Sequence, residues 1–207
     1  DPLFKKANFE IEKNLNSLSN SISSYKKSAV IKTSIQYAIK TYLSRTNWKC
    51  IGSGINYNLS KFTSKRLIAQ INRACAFDVL ENHKHIDMSA ESAIIIFISN
   101  ILKHGYQEDA FAEIEKLISH NSLPIIVTNL GDDRYDNFSL LMEDSSGSKM
   151  NLPVPIIKMP KLAQQYSFAL NILLIEDFIS NMVKFIHSDE ALIHNKIAIE
   201  TPQRNIN

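Results

Sequence analysis

Ala93-Ile94-Ile95-Ile96-Phe97-Ile98 is an unbroken apolar run, rich in β-branched residues. A strand built from it has no polar side to offer water. It therefore predicts a strand covered on both faces, as in a parallel sheet with helices above and below. Comparable runs recur at Trp48–Ile51, Leu123–Thr128, Phe138–Met142 and Pro155–Met159, with a short further strand at Ala76–Leu80. Helical periodicity separates them. It runs from Gly54 to about Ala74, over Glu108–His120 (Phe111, Ile114, Leu117 and Ile118 on one side), and from Leu162 to Ile186. Strands alternating with helices predict an α/β fold, a three-layer α/β/α sandwich on a five-stranded parallel sheet. Its strands are expected at Trp48, Ala93, Leu123, Phe138 and Pro155.

Two helices precede this body. Phe4, Ile11, Leu18 and Tyr25 recur every seven residues with Leu15 and Ile22 between them, and Ser28 opens a second helix through Ile31, Ile35, Ile39 and Leu43. The expected division is an N-terminal helical arm over 1–46, the α/β domain over 47–187 and a C-terminal tail over 188–207. The apolar stripe of the arm must bury against something, which is either the larger body or a second copy. Residues 1–50 carry nine Lys/Arg against three Asp/Glu, and the rest of the chain 14 against 18. The basic arm suits a phosphate or an acidic partner, or is simply the solvated face of two helices.

The overall balance, 23 basic against 21 acidic residues, leaves no polybasic footprint for nucleic acid. The longest apolar stretch is shorter than a bilayer span by a factor of about three, and no signal peptide is present, so no membrane partner is expected. Cys50 and Cys75 stand 25 positions apart with no CxxC. That argues against a disulfide framework or a thiolate zinc site and fits a reducing, cytoplasmic setting. The chain opens at Asp1 without an initiator Met, so a processed chain or a fragment is expected.

In an open parallel sheet, ligands bind beyond the carboxyl ends of the strands. Gly52-Ser53-Gly54 falls at such an end. Glycines permit the tight turn, the first N–H groups of the following helix favour an anion, and Ser53 and Asn56 can add hydrogen bonds. Tyr57 occupies the third glycine position of a dinucleotide fingerprint, so no such cofactor is implied, and a plain strand–helix turn is the competing reading. A second cluster is Glu81-Asn82-His83-Lys84-His85-Ile86-Asp87. Its HxHxD resembles the zinc signature of metallo-β-lactamase-fold hydrolases, but Met88 stands where that signature needs another His, so no metal is assigned. A solvated loop competes with an acid–base or sugar-contacting role for His85, whose ordinary pKa near 6.5 suits proton transfer. Glu176 and Asp177, inside the last apolar helix, read as solvent-facing helix positions, and His104, His120, His187 and His194 stand apart.

Cys50-Ile51-Gly52-Ser53-Gly54-Ile55-Asn56-Tyr57 resembles the first strand and turn of a sugar isomerase (SIS) domain. More narrowly, it resembles the second SIS domain of glucosamine-6-phosphate synthases, where the turn runs G-R-G-x-x-Y. A Lys-His pair follows there at an interval that brings it onto Lys84-His85. Ser92–Ile98, Leu123–Asn129 and Pro155–Met159 fall where that family has its central strands, and Gln164–Ile179 matches its long apolar helix. The similarity covers residues 47–186. It implies a phosphosugar over Gly52–Asn56 with Lys84 alongside, Ser99 at its edge and His85 assisting ring opening, with no cofactor. It further implies a homodimer or pairing with a second SIS domain.

The departures are as informative. The family's catalytic glutamate falls on Ala69, with Gln70 beside it, and Ser99-Asn100-Ile101-Leu102 replaces the phosphate-gripping Ser-x-Ser-Gly-x-Thr loop. Arg204-Asn205-Ile206 resembles the start of the family's final P-R-N-L-A-K-S, but no matching lysine follows. Two functions follow: a degenerate or partner-dependent isomerase half, or a non-catalytic interaction module. A lost general base typically forfeits 10²–10⁴ in rate, which favours the module. A sugar-reading DNA regulator is set aside, because no helix-turn-helix segment precedes the SIS pattern.

Overall fold

The computed structural model describes residues 2–80, 92–99, 104–120, 122–143 and 148–187. The chain opens with helices α1 (Pro2–Lys27) and α2 (Ala29–Tyr42). Strand β1 (Asn47–Gly52), helix α3 (Ile55–Ile71), β2 (Ala74–Asp78), β3 (Ala93–Phe97), α4 (His104–Ser119) and β4 (Leu123–Asn129) follow. Then come β5 (Ser139–Glu143), β6 (Lys149–Pro153), β7 (Ile156–Met159) and α5 (Gln164–Ile186). Five strands form one sheet in the order β2-β1-β3-β4-β7, every neighbouring pair parallel. The α/β fold and the five-stranded parallel sheet expected from the sequence are present.

One strand is assigned differently. Phe138–Met142 does form a strand, but β5 pairs antiparallel with β6 in a separate two-stranded ribbon. The reason lies in its alternation: Leu140 is buried while Leu141 is 61% exposed, the pattern of a one-sided ribbon rather than a strand covered twice. The fifth place in the sheet goes to β2, set slightly earlier than the Ala76–Leu80 run. It is an edge strand, bonded to β1 alone and partly exposed along its length.

The sheet alternates its side chains between two layers. Ile95, Phe97, Ile125, Val127 and Ile157 face Thr63 of α3 and Leu174, Ile175 and Phe178 of α5. Trp48 packs edge-on against Phe178, ring centroids 6.3 Å apart. The β1–α3–β2 and β3–α4–β4 units travel in opposite directions across the sheet, so right-handed crossovers put α3 and α4 on opposite faces. Helix α4 packs on β4 and buries Ala110, Ile114 and Leu117.

The arm docks on the α5 side. The Ser28 hydroxyl caps α2 by accepting from Ile31 N, and Ile31, Ile35, Ala38, Ile39 and Tyr42 enter the core. Tyr25 of α1 donates its hydroxyl to Asp177 of α5 at 2.8 Å, and Tyr37 donates to the Pro153 carbonyl at 2.8 Å. The amino-terminal part of α1 leaves Phe9, Ile11 and Leu15 exposed, at 65%, 51% and 51%.

Candidate functional site

Strand order reverses between β1 and β3, so the loops leaving their carboxyl ends border the crevice where open α/β sheets bind ligands. β1 ends at Gly52, paired with Phe97 of β3, and Ser99 lies two residues beyond. A Cβ on Gly52 would sit 2.7 Å from the Asn56 carbonyl oxygen and 2.9 Å from the Asn56 Cβ. Only glycine lets α3 start this close to the strand. Gly54 has φ 62° and ψ −127°, a conformation closed to ordinary L-residues, and open space surrounds its Cα. The turn is completed by Asn56 N donating to Ser53 O and Tyr57 N to Gly54 O, both at 3.2 Å.

Ser53, Asn56 and Ser99 are brought together at this rim, and all three brace it. Leu80 N donates to Ser53 Oγ at 3.1 Å, tying the turn to the segment after β2. Asn56 Nδ2 donates to the Ser99 carbonyl at 3.0 Å, while Asn171 Nδ2 of α5 donates to Ser99 Oγ at 2.9 Å. Asn56 and Ser99 are only 3% and 1% exposed. With these side chains turned inward, the turn presents mainly backbone. No side-chain bond caps α3 and no acidic residue occupies its first turn, so the helix itself places no carboxylate against its N–H groups and partial positive charge.

Lys84 and His85, with His83 and Asp87, lie outside the described residues. Among the described residues no three His, Cys, Asp or Glu side chains are gathered to hold a metal ion. Ala69 and Gln70 are exposed near the last turn of α3. Fifteen residues of helix separate Ala69 from Gly54, about 22 Å along the axis. A carboxylate at position 69 would not reach this turn from within the same chain.

Sequence reasoning passed over Asn171, whose signal is a carboxamide set among apolar neighbours in the middle of α5. It is 1% exposed, and its Oδ1 is buried with no partner among the described residues. Glu176 and Asp177 are helix ties: Arg66 grips Glu176 through two bonds of 2.8 and 2.6 Å, and Asp177 accepts from Tyr25. Burial, followed by the Asp177 carboxylate, pushes the Tyr25 hydroxyl far above its ordinary pKa, so it stays a donor. At the end of β4, Thr128 and Arg134 both donate to Asp132, and Lys158 bridges Asp133 and Asp136. These carboxylates are engaged by Arg134 and Lys158 and, at Asp132, by the Thr128 hydroxyl. A separate open groove of about 690 Å³ runs along α1 between Phe9, Asn16, Asn20, Ser24 and Pro160, and no rim residue lines it.

The sequence matches no protein-family model and no curated protein. Its structure does match solved ones. The C-terminal domain of glucosamine-fructose-6-phosphate aminotransferase from Francisella tularensis superimposes with a TM-score of 0.65 at 10% identity, over 86% of this chain. The sugar isomerase domain of the RpiR transcription factor from Sphaerobacter thermophilus gives 0.51 at 10% identity, over 89% of this chain and 93% of that one.

The chain has the SIS fold. A third SIS-fold match is Vibrio vulnificus NanR, solved in complex with ManNAc-6P, with a TM-score of 0.60 at 11% identity over 91% of this chain and 67% of that one. The SIS fold anticipated from the turn and strand pattern is met. This SIS-fold chain spans 45% of the aminotransferase's C-terminal domain. No helix among its described residues is long and apolar enough to cross a membrane.

Proposed function

We propose that the chain is a phosphosugar-binding SIS domain, a degenerate or partner-dependent half of a glucosamine-6-phosphate-synthase-like isomerase. The observation that carries this reading is the Gly52–Gly54 turn, set at the switch point and leading into a helix with no side-chain cap. An anionic phosphate suits those backbone donors. A SIS-fold neighbour solved with ManNAc-6P supports the ligand class. Ser99 lies beneath the same rim, and Lys84 and His85 are the side chains proposed to reach the sugar, His85 to assist ring opening. With few charge-assisted bonds, affinity is set near millimolar, about −4 kcal/mol. Glucosamine-6-phosphate and fructose-6-phosphate are each titrated while the amides of Gly52–Asn56 are followed by NMR. Saturable shifts with a millimolar midpoint are expected, and unmoved amides with both sugars reject the reading.

A second reading has its own support: a non-catalytic module that pairs with a second copy or another SIS domain. Asn56 and Ser99 are already committed to internal bonds, and α1 leaves Phe9, Ile11 and Leu15 to solvent. Light scattering at high micromolar concentration is expected to report a dimer. An assay for fructose-6-phosphate isomerisation separates an active half from a vestigial one.

A further inference from the structure

The two cysteines, 25 positions apart in sequence, meet in space. Cys50 and Cys75 Sγ atoms are 3.6 Å apart, both thiols free, one on β1 and the other on the neighbouring edge strand β2. Trp48 is the register partner of Cys75, so Cys50 lies two positions further along β1 and points to the same face. Their surroundings differ. Cys50 is fully buried, whereas Cys75 is half-buried on the outermost strand. The geometry points to a hydroperoxide-reactive dithiol: Cys75 is the residue oxidised first and Cys50 the residue that resolves it to an intramolecular disulfide. This inference is independent of the phosphosugar reading.

The chemistry of the pair follows that division of labour. Hydrogen bonding from the Cys50 thiol draws Cys75 below its ordinary pKa, against the opposing effect of burial, and the Ser64 hydroxyl adds to the lowering. Burial pushes the Cys50 thiol well up, and Cys75 Sγ also lies 3.6 Å from the Ala76 carbonyl oxygen. A partly exposed cysteine with a lowered pKa beside a second thiol is the arrangement of a redox-responsive cysteine. The Cys75 sulfur attacks one peroxide oxygen and the O–O bond breaks. Hydroxide leaves and is protonated to water, and Cys75 becomes a sulfenic acid. Cys50 sulfur then attacks Cys75 sulfur, its proton leaves with the departing hydroxyl as a second water, and the S–S bond forms. Two thiols have lost two electrons and one hydrogen peroxide has become two waters.

Closure requires the sulfurs to approach by about 1.5 Å, since a disulfide is about 2.05 Å long. β1 is held on both sides by β2 and β3, whereas β2 is bonded on one side only, so β2 is the strand that yields.

The test is hydrogen peroxide on the full chain, read by thiol titration, dimedone labelling and peptide mass. Wild type is expected to lose both thiols together, to run as a single-chain band on a non-reducing gel and to regain both with dithiothreitol. Cys50→Ser is expected to strand Cys75 as a dimedone-reactive sulfenic acid. Cys75→Ser, a change on the partly exposed edge strand, is expected to leave Cys50 titratable at the same dose. Three outcomes overturn the inference. One is a dimedone adduct accumulating on wild-type Cys75 beside a free Cys50, and another is oxidation of Cys50 in the Cys75→Ser chain. The third is two intact wild-type thiols at a dose that fully oxidises glutathione.

Discussion

Gly52 and Gly54 sit one residue apart and are required for different reasons. At Gly52 the obstacle is matter: a methyl group would press on the backbone of Asn56, which opens α3 and cannot swing away as a side-chain tip can. At Gly54 the space is open and the obstacle is the φ of 62°. Gly52→Ala is therefore expected to destabilise the fold by about 1–3 kcal/mol, as overpacking in a well-filled region does. Urea unfolding reads it, and an unchanged midpoint contradicts the contact. The glycines advertised this turn in the sequence, because nothing else permits both features. Asn171 had no such advertisement. A carboxamide in the middle of an apolar helix gives no local hint that its partner is Ser99, 72 residues earlier.

At the level of elements, strands β3 and β4 were legible because burial on both faces leaves a continuous apolar run, and β1 and β7 because a shorter apolar run survives around a single lysine, Lys49 or Lys158. The placement of β5 was not, since its apolar residues say that a strand forms but not which strand it bonds to. Beyond β4, the loop through Asp132 and Arg134 carries a pH dependence of its own. Burial pushes the Asp132 carboxyl up, but hydrogen bonds from Arg134 and Thr128, with the nearby guanidinium charge, outweigh it and hold the pKa below 3.8. A carboxyl depressed by folding stabilises above its unfolded pKa, and that contribution disappears as pH falls through the folded value. Asp132→Asn is expected to be less stable than wild type at pH 6, with the gap closing below about pH 4, the ordinary carboxylate range. Thermal melts across that window measure it, and a gap that persists at the lowest pH refutes the assignment.

For the whole molecule, the arm and the last helix are joined by one phenol. Tyr25→Phe keeps the ring and removes the bond to Asp177, and a hydrogen bond to a charged acceptor contributes about 1.5–3 kcal/mol. The substitution is expected to lower stability by that order, and hydrogen exchange is expected to quicken in α1 and α2 before the sheet. An arm that exchanges no faster than wild type would show that apolar packing alone secures it. The same bond links residues 152 positions apart in the chain. At roughly 5–20 residues per second of synthesis, the ribosome makes Tyr25 about 8–30 s before Asp177. Ile31, Ile35 and Ile39 therefore leave the ribosome with no helix α5 to cover them. The arm is made well before the helix that completes its seat, and a nascent chain halted before residue 164 holds it only on the β7 side, with the Tyr37 bond to Pro153.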